Sequence, residues 1–136
     1  MRFVDTNVLL YAVSTVPGEA AKARVARRLL EADDLAVSVQ VLQEFYVQAT
    51  RAGRKGRLSH EQAALLVESW LRFPVQETTV PLVQAAIETK RRHRLSYWDA
   101  AIIEAARLLE CETVLSEDLA RRRDYDGVRV ENPFLD

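Results

Sequence analysis

The sequence predicts an α/β fold with a central, mainly parallel sheet of about four to five strands, and three observations carry that reading. Short apolar, β-favouring segments alternate with longer segments of helical periodicity, the pattern of a sheet covered by helices. The first such strand, Arg2 to Val4, is separated from a helical run only by Asp5-Thr6-Asn7, which offers cap chemistry. No repeat or low-complexity stretch marks an internal boundary in the 136 residues, so a single domain, 1–136, is expected.

The elements follow in order. Val8-Leu9-Leu10-Tyr11-Ala12 continues as a first helix. Glu19 to Ala32 is rich in Ala, Arg and Leu and places Val25, Ala26, Leu29 and Leu30 on one helical face. Leu35 to Ser38 is a short apolar strand, and Ser38 can cap a helix in which Val41, Leu42, Phe45 and Ala49 recur at helical spacing. Gly53 and Gly56 break the pattern between Arg51 and Leu58. Ser59 and Gln62 then form a capping box ahead of a stripe of Ala63, Leu66, Val67, Trp70 and Leu71, and Pro74 ends that helix. Val75 to Thr78 is a weaker strand. Thr79 and Pro81 open a helix carrying Leu82, Val83, Ala86 and Ile87, and Ser96 to Leu109 is helical again. Glu112 to Leu115 and Gly127 to Val130 read as the closing strands.

Hydrophobic residues make up 49% and charged residues 29%, enough for a core under a solvated surface and inconsistent with disorder. The single cysteine, Cys111, excludes an intrachain disulfide and a cysteine-based zinc site, and its apolar surroundings make it core filler. No membrane-spanning or signal segment is read, so a cytoplasmic location is expected. The net charge of −1 conceals three basic runs: Arg51, Arg54, Lys55 and Arg57; Lys90, Arg91, Arg92 and Arg94; and Arg121 to Arg123. Such runs suit helix C-termini, where positive charge complements the macrodipole, and they equally suit phosphate-binding surfaces.

Chemistry is expected beyond the carboxyl ends of the strands, where open parallel sheets bind ligands. Asp5 follows the first strand and Asp118 follows Glu112 to Leu115; Glu44 lies at most about two turns into the helix after Leu35 to Ser38. Asp99 sits in the first turn of the helix opened by Ser96. Each also has a plain alternative. Asp5 reads as a helix cap, Asp99 as part of a capping box with Ser96, Glu44 as a solvated helix position and Asp118 as a charge favouring a helix start. Four carboxylates gathered together repel, and a hard divalent cation with oxygen ligands offsets that cost. His60 and His93 belong to no metal motif and are expected at the surface.

Phe3-Val4-Asp5-Thr6-Asn7-Val8-Leu9-Leu10-Tyr11 resembles the opening of PIN-domain nucleases, and Ser96-Tyr97-Trp98-Asp99-Ala100 resembles their third acidic motif. Thr113-Val114-Leu115-Ser116-Glu117-Asp118-Leu119 is similar to their last one, and Gly127 to Phe134 is similar to their closing segment. The match is to VapC-type toxins and spans essentially the whole chain, with Val41-Leu42-Gln43-Glu44-Phe45 the least distinctive motif. The resemblance implies a PIN-like three-layer α/β/α fold and a toxin endoribonuclease that uses Mg²⁺ or Mn²⁺ to activate water against an RNA phosphodiester. It implies metal ligation by Asp5, Asp99 and Asp118, with Glu44 completing the acidic ring, and catalytic roles for all four. Thr6, Asn7 and Ser116 become candidates for orienting those carboxylates or contacting phosphate, although each also suits a helix cap. Arg51, Arg54, Lys55 and Arg57 become candidates for the RNA backbone. A homodimer and a cognate antitoxin that blocks the site are implied as partners, with Leu9, Leu10, Trp70 and Phe73 as interface or core residues. Two rivals stand beside this reading: an RNA-binding or regulatory module without turnover, and a phosphatase using Asp5 as nucleophile. The second is weakened by Asn7, where such enzymes carry a second Asp.

Overall fold

The computed structural model describes residues 1–119 and 123–135. In chain order its elements are β1 (Arg2–Val4), α1 (Thr6–Ala12), a 3₁₀ turn (Pro17–Glu19), α2 (Ala20–Leu29), β2 (Leu35–Ser38) and α3 (Val39–Ala49). There follow α4 (His60–Trp70), β3 (Val75–Gln76), α5 (Val80–His93), α6 (Tyr97–Leu108), β4 (Thr113–Leu115), β5 (Asp124–Tyr125) and β6 (Val128–Glu131). The strands form one sheet in the order β3-β2-β1-β4-β6-β5, parallel throughout except for β5 against β6.

The sheet therefore has six strands among the described residues, more than the four to five expected. The extra strand is β5, only two residues long and paired through the Asp126-Gly127 turn, where both residues have positive φ. That is the backbone of a two-residue hairpin turn, and Asp-Gly is a favoured sequence for it.

The order of strands sets the position of the site. From β1 the chain moves outward to β2 and then β3, and from β3 it returns to β4 on the other side of β1. Right-handed crossovers place α1 to α4 on one face during the outward path and α5 and α6 on the other during the return. Contacts agree: α1 packs on α2 and α3, α3 packs on α4, and α6 pairs with α5 while touching β2, β3, β4 and β6. The direction of winding reverses between β1 and β4, and the crevice beyond their carboxyl ends is the expected ligand position.

Local chemistry starts these helices as their sequences suggest. Ser38, Thr79 and Ser96 cap α3, α5 and α6 through bonds to Val41, Leu82 and Asp99 N–H, and Ser59 and Gln62 close a reciprocal box on α4. The core gathers Phe3, Val4, Val8, Leu9, Val37, Val41, Phe45, Ile103 and Val114, all fully buried. Leu9, Trp70 and Phe73 are packed in this core and so do not form an exposed interface, while Leu10 is half-buried at its margin.

Three apolar residues expected on buried faces are exposed. Val25 and Ile87 each lie one residue, about 100° around the helix, from the alanines Ala26 and Ala86 that pack inward. Leu71 falls just past the end of α4 and leaves its stripe. Cys111 is buried, as expected of core filler. His60 is exposed, but His93 is half-buried, its ring edge-on to Tyr125 at 5.1 Å and its Nε2 3.2 Å from Asp126 Oδ2. Tyr125 and Asp126 of the β5–β6 hairpin cover part of the His93 ring at the end of α5.

Candidate active site

The site grows from the register of the two central strands. Val4 pairs with Leu115 in parallel register, so Asp5 and Ser116 emerge side by side at the carboxyl ends of β1 and β4. Asp5 N–H donates to the Leu115 carbonyl at 3.0 Å, extending the ladder one step further. Asp5 then starts α1, and its Oδ1 accepts from Thr6 N–H at 2.7 Å. Asp5 does cap its helix, and the cap leaves the carboxylate aimed into the crevice.

Asp5, Glu44, Asp99 and Asp118 line one pocket of about 250 Å³. They come from the end of β1, the second turn of α3, the first turn of α6 and the loop after β4, so four separate stretches of chain meet here. Asp5 is buried, Glu44 and Asp99 are half-buried and Asp118 is exposed. Among the described residues no three acidic, histidine or cysteine side chains already close around a single ion position. The donor set is all oxygen, with an open mouth. That suits a hard cation that keeps several waters and takes one or two carboxylates directly, as Mg²⁺ does.

A polar layer holds these acids in place. Ser116 Oγ donates to Asp5 Oδ2 at 2.7 Å and accepts from Asp118 N–H at 3.1 Å. Thr6 Oγ1 donates to Glu44 Oε2 at 2.7 Å, and Gln40 Nε2 donates to Glu44 Oε1 at 2.8 Å. Asn7 Nδ2 reaches Asp118 Oδ2 at 3.1 Å and Ser116 Oγ at 3.3 Å, while its Oδ1 accepts from Glu117 N–H at 3.3 Å. Thr6, Asn7 and Ser116 thus each touch one of the acids directly. Ser96 Oγ accepts from Asp99 N–H at 3.1 Å, the ordinary cap bond.

Burial is the main force on the acids' protonation. It pushes the Asp5 carboxyl up to about 6, against the lowering effect of Ser116 and Thr6, with Glu44 and Asp118 adding to the rise. Asp99 is raised by burial, lowered by Ser96 and raised again by Asp118 and Glu44. The mutual repulsion ties the four acids together electrostatically as well as in space. Another buried acid, Glu104, stands apart from them and is satisfied by Thr89 and Arg107.

Sequence reasoning missed two groups at the pocket. Gln40 lies one helical turn before Glu44, a spacing that could have revealed it. At the rim, Tyr11 Oη donates to Glu117 Oε1 at 2.6 Å and Lys22 Nζ pairs with Glu117 Oε2 at 2.5 Å, with the Lys22 ammonium 4.9 Å from the Tyr11 ring centre. Burial opposes ionisation of Glu117, but Lys22 and Tyr11 outweigh it and hold that carboxyl below its usual value. Tyr11 and Lys22 lie about a hundred positions from Glu117, and no local pattern announces the cluster.

The basic runs divide. Arg54 lines the acidic pocket, and Arg51, Lys55 and Arg57 are exposed on the same loop, with Arg57 Nε donating to the Thr50 carbonyl at 2.9 Å. Lys90, Arg91 and Arg92 occupy the last turn of α5; Arg91 pairs with Glu88 and Arg92 with Asp126. The helix-end account fits that second run. Arg121 and Arg122 lie outside the described residues, and Arg123 sits over the Tyr125 ring at 5.2 Å.

A mainly parallel α/β sheet with four carboxylates at its switch point is an arrangement able to hold a divalent ion. The PIN domain family model matches residues 2–124, and the chain belongs to the PIN domain family. Its fold is shared by VapC20 of Mycobacterium tuberculosis, a sarcin–ricin-loop-cleaving toxin, at a TM-score of 0.69 and 23% identity over 87% of this chain and 92% of that one. A toxin–antitoxin complex from Klebsiella pneumoniae contains a chain matching at 0.71 and 20% identity over 98% of both chains. The DNA-bound VapBC of Salmonella typhimurium matches at 0.68 and 17% identity over 97% of both. No curated protein sequence matches the chain.

Proposed function

We propose that this chain is a Mg²⁺- or Mn²⁺-dependent endoribonuclease, the toxin of a VapC-type toxin–antitoxin pair. The observation that carries the reading is the convergence of Asp5, Glu44, Asp99 and Asp118 on one pocket, each from a different element. Membership of the PIN family supports a nuclease, and the toxin–antitoxin neighbours support the biological setting.

A divalent ion bound among these acids supplies Lewis acidity for the phosphate and for the attacking water. Asp5, Asp99 and Asp118 are the ligands in this reading. Ser116 and Thr6 fix the Asp5 carboxylate by one bond to each oxygen at the lining of the pocket. Glu44, steadied by Thr6 and Gln40, is placed to take the proton of the attacking water. The new bond joins the water oxygen to phosphorus and the bond to the 3′-oxygen breaks, so the products carry a 5′-phosphate and a 3′-hydroxyl. The Arg51 to Arg57 loop provides attraction for the flanking backbone, with Arg54 nearest the acids.

The partners in this reading are RNA, a second copy of the chain and an antitoxin that occludes the pocket. No helix among the described residues is long and apolar enough to cross a membrane, consistent with the cytoplasmic location proposed for such a toxin. The test is scission of a mixed-sequence RNA. Cleavage is expected to stop with chelator, return with Mn²⁺ and vanish in Asp99→Asn. Scission that survives both treatments overturns the proposal.

A further inference from the structure

The two tryptophans have opposite environments. Trp70 is 3% exposed and packs edge-on against Phe45 at 4.6 Å, whereas Trp98 is 63% exposed. Trp98 immediately precedes Asp99 and lines the acidic pocket. It also lines an adjoining groove of about 540 Å³ that shares Gln40, Glu44 and Asp99 with that pocket and adds Gln43 and Val47. The exposed indole is held in position rather than loose. Tyr97 meets it edge-on with ring centres 5.0 Å apart, and Gln40 Nε2 donates to the Trp98 carbonyl at 3.2 Å while also bonding Glu44.

The chemistry of this groove selects its occupant. Among its described lining residues there is no Lys or Arg, and Glu44 and Asp99 at its inner end repel a phosphate. The surface offers instead an aromatic face, an aliphatic side chain, the carboxamides of Gln43 and Gln48, which can donate and accept, and the acceptor oxygen of Gln40. A flat, uncharged heteroaromatic ring with hydrogen-bonding edges matches that set, and unpaired nucleobases are recognised by stacking on exposed aromatics. The groove shares Glu44 and Asp99 with the acidic pocket, so its occupant adjoins the position of the reacting phosphate. Among the described residues lining the acidic pocket the cation is Arg54, which lies outside this groove.

Resting on the nuclease reading above, we propose that Trp98 is the stacking platform for an unpaired nucleobase flanking the scissile phosphate. Gln40, Gln43 and Gln48 face the edge of that base and give the site its preference.

The test uses the full-length chain and a twelve-nucleotide single-stranded RNA, intact or carrying one abasic ribose moved along it. In chelator, RNA quenches the tryptophan emission of the wild type, and Trp98→Phe abolishes the quench because only buried Trp70 remains. Trp98→Ala weakens RNA binding and raises KM about tenfold with kcat nearly unchanged, while Trp98→Phe retains most of the affinity. An abasic ribose at one position imposes a similar loss on the wild type and none on Trp98→Ala. Unchanged emission at saturating RNA overturns the proposal, as do equal abasic penalties in the two proteins. So does a Trp98→Ala chain that sediments as a smaller species with unchanged KM, since the indole is then buried between two copies. If the wild type cuts no RNA, the nuclease reading fails, and the emission arm still decides whether a base meets Trp98.

Discussion

Ser116 Oγ and Asp5 Oδ2 are 2.7 Å apart although 111 positions separate them in sequence. The contact is a direct product of strand register, because both residues follow the Val4–Leu115 pair. Ser116 is fully buried and serves several partners at once: it donates to Asp5 and accepts from Asn7 Nδ2, Asp118 N–H and Leu119 N–H. Ser116→Ala strands these groups, and we expect a loss of about 1–3 kcal/mol in denaturant unfolding. Divalent-ion affinity, read by calorimetry, should fall about 10- to 100-fold. A variant as stable and as tightly binding as wild type would show that Ser116 only fills space.

The elevated Asp5 carboxyl has a consequence for stability. Its folded value of about 6 lies above its ordinary 3.8, so the native state favours the protonated acid. That contribution is complete below pH 4 and is lost as pH rises through 6, amounting to about 3 kcal/mol. In chelator, the stability of wild type relative to Asp5→Asn should therefore decline from pH 4.5 to pH 7. Mg²⁺ or Mn²⁺ binds only the ionised acid, so its stabilising effect should be larger at pH 7.5 than at pH 5. A pH-independent difference between the two proteins refutes the assignment.

Thr6 links the first helix to Glu44 through a single hydroxyl. Thr6→Val keeps the branched shape and removes that bond. Folding should change by no more than about 1–2 kcal/mol. RNA turnover should drop by one to two orders of magnitude, with KM little affected, if Glu44 must be held to receive a proton. A change confined to KM points instead to a role for Thr6 in contacting the substrate.

The loop from Arg51 to Arg57 offers a salt test. Replacing Arg51, Arg54 and Lys55 with alanine should weaken RNA binding and make its salt dependence shallower by up to about two in log–log slope. Arg54 should account for the largest share, since it lines the pocket and the others point to solvent. Turnover at saturating RNA should be preserved. An equal loss at saturation moves these residues from attraction to chemistry.

Tyr125 is fully buried, and among the described residues its hydroxyl has no hydrogen-bond partner. Tyr125→Phe removes that orphaned group while keeping the ring against His93. Thermal unfolding should show an unchanged or higher midpoint, by as much as about 1–3 kcal/mol of stability. A marked decrease would reveal a partner for the hydroxyl.

Much of this architecture is legible in the chain because the signals are local. Ser38, Ser59, Thr79 and Ser96 announce their helices, and the alternation of apolar strands with periodic helices announces the sheet. Asp5, Asp99 and Asp118 are legible because each sits at the boundary of an element, where a parallel sheet gathers its ligands, whereas Glu44 lies inside α3 and carries no such mark. β5 escaped because two residues carry no periodicity, although Asp126-Gly127 is a recognisable turn. Val25 and Ile87 are exposed beside Ala26 and Ala86 because packing chooses small residues at close helix contacts, a choice hydrophobicity alone does not encode, and Leu71 is exposed because α4 ends before it. The Tyr11–Lys22–Glu117 cluster depends wholly on tertiary contact, so nothing short of the fold reveals it.

The central position of β1 also dictates when the acidic pocket can assemble. β1 is made before either of its neighbours, and it gains the second one only when Thr113–Leu115, more than a hundred residues further along the chain, has left the ribosome. Asp118 follows later still. Until both have emerged the four acids are scattered along an unfinished chain, so a nascent copy holds no assembled acidic pocket. Anything that fits the assembled pocket can meet it only after β4 has docked beside β1, and that timing is built into the order in which the strands are laid down.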